Sequence, residues 1–229
     1  MEPLLYLIVG SLLAYTPLIL FDMFTKRQRL AALRKAAERL GLTYTADDPE
    51  QLPLKLADFA LFKLGQDGKA VNVMRGDGVW LFEYSYRIPG RFRHNRRYQT
   101  VIYFQREEMD LPQFRLQPAG LLPAVMRELG YLDKEKAKQT QLTLHPDLAD
   151  LYQLSSPQAA LMPTLFNPAL VANLAENPGP SIEGAARDLI FYYDQKRFEP
   201  KELDAFYANS AAQAALIFVD GFRRETAAG

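Results

Sequence analysis

The stretch Val79-Trp-Leu-Phe-Glu-Tyr-Ser-Tyr-Arg87 decides the class of fold. Its period is two, with Trp80, Phe82, Tyr84 and Tyr86 on one side and Val79, Leu81, Glu83 and Ser85 on the other. Aromatic residues at every second position suit a pleated surface buried against another layer. The aromatic row is expected to pack beneath helices; the competing reading makes it the wall of an apolar pocket. Before it, Gly76-Asp-Gly78 reads as a hairpin turn, too short to cradle a phosphate, and Ala70 to Met74 as the preceding strand. Further back, Gly65-Gln-Asp-Gly68 reads as a turn after a strand from Phe59 to Leu64. Beyond it come a strand from Tyr98 to Phe104 and a short one at Phe114 to Leu116. The implied fold class is α+β, an antiparallel β-meander of about four strands with helices packed on it.

The second half mixes elements. Gly120 to Leu129 is predicted helical, Leu142 to His145 extended, and Ser156 to Phe166 helical until Asn167-Pro168 forces a second short helix. Strands are predicted at Ser181 to Ala185 and Leu189 to Tyr193, joined at Ala186-Arg187-Asp188. A long C-terminal helix is expected from about Pro200 to Phe222, apolar at Leu203, Phe206, Ala211, Ala214, Ala215 and Phe218.

Upstream, residues 27 to 40 carry Leu30, Leu33, Ala37 and Leu40 at helical spacing, with Gly41 where a C-cap belongs. Gln51 to Phe59 fits either a short helix or an extended arm. From Leu4 to Phe21 run eighteen residues without a charge, the length of a transmembrane candidate. Glu2 and Pro3 stand where a signal peptide would carry basic residues, so the segment is expected to be an uncleaved single-pass anchor. Gly10, Ser11 and Ala14 are candidates for close helix packing against a membrane partner. Lys26, Arg27, Arg29, Arg34, Lys35 and Arg39 follow with one acid, Glu38, between them, so the rest of the chain is expected in the cytoplasm, at the inner membrane where the cell is bacterial. The expected division is an anchor over residues 1–25, a basic juxtamembrane helix over 26–41, and an α+β domain over 42–229.

Composition narrows the chemistry. The 229 residues hold 27 Lys plus Arg and 27 Asp plus Glu, so no global charge announces nucleic acid. The absence of cysteine excludes disulfides, thiolate metal sites, iron–sulfur clusters and cysteine nucleophiles. Hydrolase, dinucleotide, Walker and zinc-protease motifs do not occur, and His94 and His145 have no neighbouring group that would orient a general base. No cofactor and no catalytic residue are therefore assigned.

The segments VWLFEYSYRI, RYQTVIYF, LPQFRLQPAG, HPDLADLYQL, LFNPALVANL and DLIFYYDQKRFEPKELDAFY together resemble a widespread group of bacterial proteins of unknown function. Their members are similar in having an apolar N-terminal segment and an Arg-rich helix after it. The resemblance covers about residues 27–218 and implies a shared fold without implying an activity.

The sharpest local feature is the turn from Arg87 to Arg97, with five arginines and no acid in eleven residues. Arg87, Arg91, Phe92, Arg93, Arg96 and Arg97 are the candidate contact residues, guanidinium groups meeting phosphates of anionic lipid or an acidic partner surface. The plainer reading is a charged hairpin tip that discourages edge pairing. Asp47-Asp48-Glu50 and Glu107-Glu108-Asp110 lack the spacing of a calcium loop and read as solvated turns. Taken together, the sequence points to a binding or scaffolding module at a membrane, with an accessory subunit of a larger membrane complex as the alternative and an enzyme as the weaker one.

Overall fold

The computed structural model describes residues 23–88, 96–119, 141–142, 146–218 and 222. The expectation of α+β with an antiparallel sheet matches what is seen, but the rest of the expected fold class is corrected. Among the described residues, no helix is long and apolar enough to cross a membrane. The expected anchor over Leu4 to Phe21, with Gly10, Ser11 and Ala14, lies outside the described residues. The meander is also too small a description, because the described strands form one nine-stranded sheet.

Helix α1 (residues 23–39) leads in and ends as Gly41 predicts. Gly41 adopts φ +68°, Leu42 N donates to the Ala37 carbonyl at 2.8 Å, and Gly41 N to that of Glu38 at 3.1 Å. This is a Schellman closure, which a side chain with a Cβ would strain. Strand β1 (Thr43–Thr45) follows, then α2 (Leu52–Lys55) and a 3-10 turn (Ala60–Lys63). Next come β2 (Gln66–Gly76), β3 (Val79–Arg87), β4 (Arg96–Gln105) and β5 (Leu111–Pro118). After β6 (Gln141–Leu142) the chain forms α3 (Pro146–Ala149) and β7 (Tyr152–Ser155). A 3-10 turn (Ala159–Leu161), α4 (Met162–Leu165) and α5 (Pro168–Glu176) precede β8 (Ser181–Ala186) and β9 (Asp188–Tyr192). Helix α6 (Leu203–Ile217) is shorter than expected at both ends.

The strands run in the order β1-β2-β3-β4-β9-β8-β5-β7-β6, every pair antiparallel. The β8–β9 hairpin therefore enters between β4 and β5, which are sequence neighbours. Alternation then builds two cores. One face carries Met74, Leu81, Ile102, Phe114, Ile182 and Phe191 beneath α1, α5 and α6. The other carries Trp80, Phe82, Tyr84, Tyr86, Val101 and Tyr103 beneath Leu52, Leu56, Phe59 and Leu61. Because both faces are covered, β3 is buried from Val79 through Tyr86.

The aromatic row is thus filled core. Trp80 stacks on Tyr103 at 4.7 Å between ring centroids, and Phe62 meets Tyr84 at the same separation. None of Trp80, Phe82, Tyr84 and Tyr86 is more than 4% exposed, which removes the pocket reading of that row. The expected strand at Phe59 to Leu64 is instead occupied by the 3-10 turn Ala60–Lys63, and of the expected turn Gly65 to Gly68, Gln66 to Gly68 form a bulged start of β2.

Candidate functional site

Glu83 is the one acid in β3, and its side chain turns to the face that α1 crosses. It is 6% exposed and accepts three hydrogen bonds, from Arg29 (2.7 Å), Arg197 (2.6 Å) and the Asn72 amide (2.7 Å). Asn72 adopts φ +52° at the bulge of β2, and Tyr44 donates to its Oδ1 at 2.7 Å. An asparagine tolerates this left-handed conformation better than most residues, and here it aims the amide at the carboxylate. Burial alone would raise the Glu83 pKa, but hydrogen bonds from Arg197 and Arg29 outweigh it and hold the carboxyl below its ordinary range. Arg29 also reaches Glu199 at 2.8 Å and the Phe198 carbonyl at 3.0 Å. One guanidinium from the first half of α1 therefore ties the helix both to the sheet and to the loop after β9.

A second buried acid, Glu183, organises the opposite face. It accepts from the backbone N–H groups of Ala60 (2.6 Å) and Leu61 (3.2 Å) and from the Tyr192 hydroxyl (2.8 Å), with Arg115 at 3.5 Å. It thereby pins the 3-10 turn onto the aromatic core. Both acids have their oxygens occupied by donors of the chain itself, which makes them structural struts and poor candidates for proton transfer.

The expected basic hairpin divides. Arg91, Phe92 and Arg93 lie outside the described residues, as do His94 and His145. The other three have partners within the fold: Arg87 pairs with Asp67 at 2.7 Å, Arg96 donates to Ser85 (3.0 Å) and the Asp67 carbonyl (2.9 Å), and Arg97 donates to Gln195 (2.5 Å). The acidic clusters are also spent singly. Asp48 caps α2 by accepting from Leu52 N at 2.7 Å, Glu50 accepts from Trp80 Nε1 at 2.9 Å, and Glu107 pairs with Arg187. Among the described residues no group of three or more His, Cys, Asp or Glu is placed to hold a metal.

What the fold brings together is one end of the sheet. Arg87 of β3 pairs in register with Arg96 of β4, Thr100 N donates to the Lys196 carbonyl, and Arg97 meets Gln195. Arg29 anchors α1 over this end, while Leu42 beyond its C-terminus lies against Gly76 at the opposite, β2–β3 turn. At 1.5 Å per residue, Phe24 lies about 8 Å further out than Arg29. Met23 and Phe24 are 46% and 58% exposed, and Lys26 and Arg27 are exposed beside them. The start of α1, the base of the arginine hairpin and the Lys196–Arg197 loop thus share one end. The sequence showed each of these pieces and none of their convergence; the lone acid in an otherwise uncharged strand interior was the available signal for Glu83.

No family model matches the chain. No curated protein matches it either. Among solved structures it is similar to the crystal structure of the mycobacterial trehalose monomycolate transport factor A, TtfA, with a TM-score of 0.61 at 13% identity, over 87% of this chain and 99% of that one. At that identity the likeness is one of fold.

Proposed function

We propose that this chain is a membrane-associated accessory module, a binding or scaffolding domain presented at the cytoplasmic face of a membrane. The observation that carries the reading is the placement of α1. Its exposed first turn, Met23 and Phe24 followed by Lys26 and Arg27, comes in the sequence one residue, Asp22, after the uncharged stretch of residues 4–21 and is clamped to the sheet through Arg29. Exposed apolar side chains next to basic ones suit the boundary between hydrocarbon and anionic headgroups. The fold likeness to a protein described as a transport factor is compatible with an accessory role of this kind.

The test uses the full chain in its own cells. Membrane fractions are prepared with and without high-salt washing, the protein is crosslinked through a photoreactive residue at position 27, and adducts are identified by mass spectrometry. The reading expects a salt-resistant membrane pool with lipid or membrane-protein adducts. Recovery of the whole pool in the soluble fraction, with no such adduct, overturns it.

A further inference from the structure

Helix α6 has a polar interruption on its buried side. Its inward residues are Leu203, Phe206, Ser210, Gln213, Ala214 and Ile217, and Ser210 and Gln213 are 2% and 1% exposed. A helix face that docks on a core is ordinarily apolar through this register, because a polar side chain removed from water needs a polar partner. Both residues border a cavity of about 490 Å³ between α6, the loop after β9 and the loop before β8. The cavity is large enough for a small molecule, and every residue lining it is described.

Its chemistry is uneven in a way that selects an occupant. The far wall is aromatic and already committed: Phe198 stacks on Phe206 at 4.3 Å and 11°, and Tyr193 meets both rings edge-on. The near wall offers three carboxamides, Asn177, whose amide nitrogen also donates to the Asn173 carbonyl at 3.3 Å, Asn209 and Gln213, and the Ser210 hydroxyl. A carboxamide presents a donor and an acceptor side by side, the complement of neighbouring hydroxyl groups, each of which donates and accepts. The charged lining is mixed: Lys196, 4.1 Å from the Phe198 ring centre and 4.0 Å from Glu202, and Lys201 border the cavity and would attract an anion, whereas the Glu202 carboxylate borders it too and would repel one.

We infer that the cavity between α6 and the loops at 177–180 and 193–202 binds a neutral polyhydroxylated group, a sugar or the sugar head of an amphiphile. The inference is independent of membrane association, since it rests on the cavity's own lining. Asn209 and Gln213 hold vicinal hydroxyls, Ser210 takes a third, and the aromatic wall gives the less polar edge of the ring an apolar surface.

The experiment titrates the full chain, reconstituted in phospholipid nanodiscs, with maltose, with octyl glucoside below its micelle concentration, and with octyl phosphate. Saturation-transfer NMR reads binding up to about 10 mM, with empty nanodiscs subtracted. Binding of maltose and of octyl glucoside supports a free sugar as the source, and binding of octyl glucoside alone supports a sugar head carried on an apolar chain. In either case Asn209→Leu, at an exposed position that leaves the core intact, is expected to weaken binding about five- to tenfold. Gln213→Leu is expected to do the same, with the thermal midpoint of each variant confirming that it is folded. Absence of binding by both sugars, tighter binding of octyl phosphate than of octyl glucoside, or unchanged affinity in folded Asn209→Leu overturns the inference.

Discussion

Replacing Glu83 by glutamine tests the central ionic strut. The change keeps the shape and one acceptor but removes the negative charge that Arg29 and Arg197 face at 2.7 and 2.6 Å. Breaking a fully buried ion pair from one side costs about 3–5 kcal/mol. Here the two cations keep some water, with side-chain exposures of 19% for Arg29 and 40% for Arg197, so part of that cost is relieved by hydration. We expect about 2–3 kcal/mol, which in a chain of this size lowers the melting midpoint by roughly 4–12 °C. Urea unfolding at neutral pH gives the difference directly, and Arg197→Met with the double variant gives the coupling. The pH dependence has a definite sign. The folded Glu83 pKa lies below its ordinary value of 4.5, so its stabilisation is complete above that value and is lost as pH falls through the folded pKa. The gap between wild type and Glu83→Gln should therefore be constant near neutrality and narrow in acid below 4.5. A variant within 1–2 °C of wild type at neutral pH, or strictly additive single changes, refutes the strut.

The two ion pairs of α1 should separate by burial: Arg39→Ala, whose partner Asp204 is 47% exposed, is expected to cost less than about 1 kcal/mol in the same urea assay, and Arg29→Ala clearly more. Gly184→Ala would drive a Cβ into the buried ring of Phe114, which is itself held edge-on by Phe166, for about 1–3 kcal/mol; Phe114→Leu should recover part of that midpoint. Phe82→Ala, at a position with no exposure, should cost about 3–5 kcal/mol and loosen the segment over residues 52–62, read as faster hydrogen exchange there. Burial pushes Tyr84, Tyr86 and Tyr152 up to about 12, so spectrophotometric titration should show these phenols ionising well after an ordinary tyrosine at 10.0. The stability they contribute is present below that ordinary value and lost as pH rises towards 12.

Legibility followed the range of the interactions. Strands β3, β4, β8 and β9 were readable because alternation and tight turns are local, and Gly41 closed α1 for the same reason. Phe59 to Leu64 misled because Phe59 and Leu61 are buried two apart, as in a strand, yet their segment is turned by a carboxylate 122 and 123 residues away. The insertion of β8–β9 between β4 and β5 left no trace in any single segment. In α6 the expected apolar stripe included Ala215, which is exposed; Ala211 packs partly buried against the core as expected, and the structure also buries Ser210 and Gln213. That departure from amphipathic pattern is where the cavity lies. The arginine turn read either as a contact surface or as a charged hairpin tip; Asp67, Ser85 and Gln195 pair with its described half, and of these three only Ser85 is near it in sequence.

How α1 is held bears on what the module can do at a membrane. A domain joined by a loose linker explores many orientations, and each partner contact then costs the entropy of fixing one of them. Here the residues after the uncharged stretch are already helical, and the same helix buries Leu33, Ala36 and Ala37 in the core and sends Arg29 into Glu83. The position of α1 on the domain is therefore set before any partner arrives. Within the proposed role, the end bearing Arg87, Arg96 and the Lys196–Arg197 loop faces the membrane, and the β2–β3 turn with Gly76 points away. Two consequences differ from those of a tethered domain. Inserting four glycines after Lys26 should leave the melting midpoint nearly unchanged, since Arg29 and Leu33 stay in place, yet should weaken capture of any membrane-bound partner by the orientational entropy it restores. Glu83→Gln should do the reverse, costing stability first and capture only in proportion to the loss of folded protein. If crosslinking yield at position 27 is insensitive to the glycine insertion while following Glu83→Gln stability, orientation contributes nothing and α1 is merely a core helix.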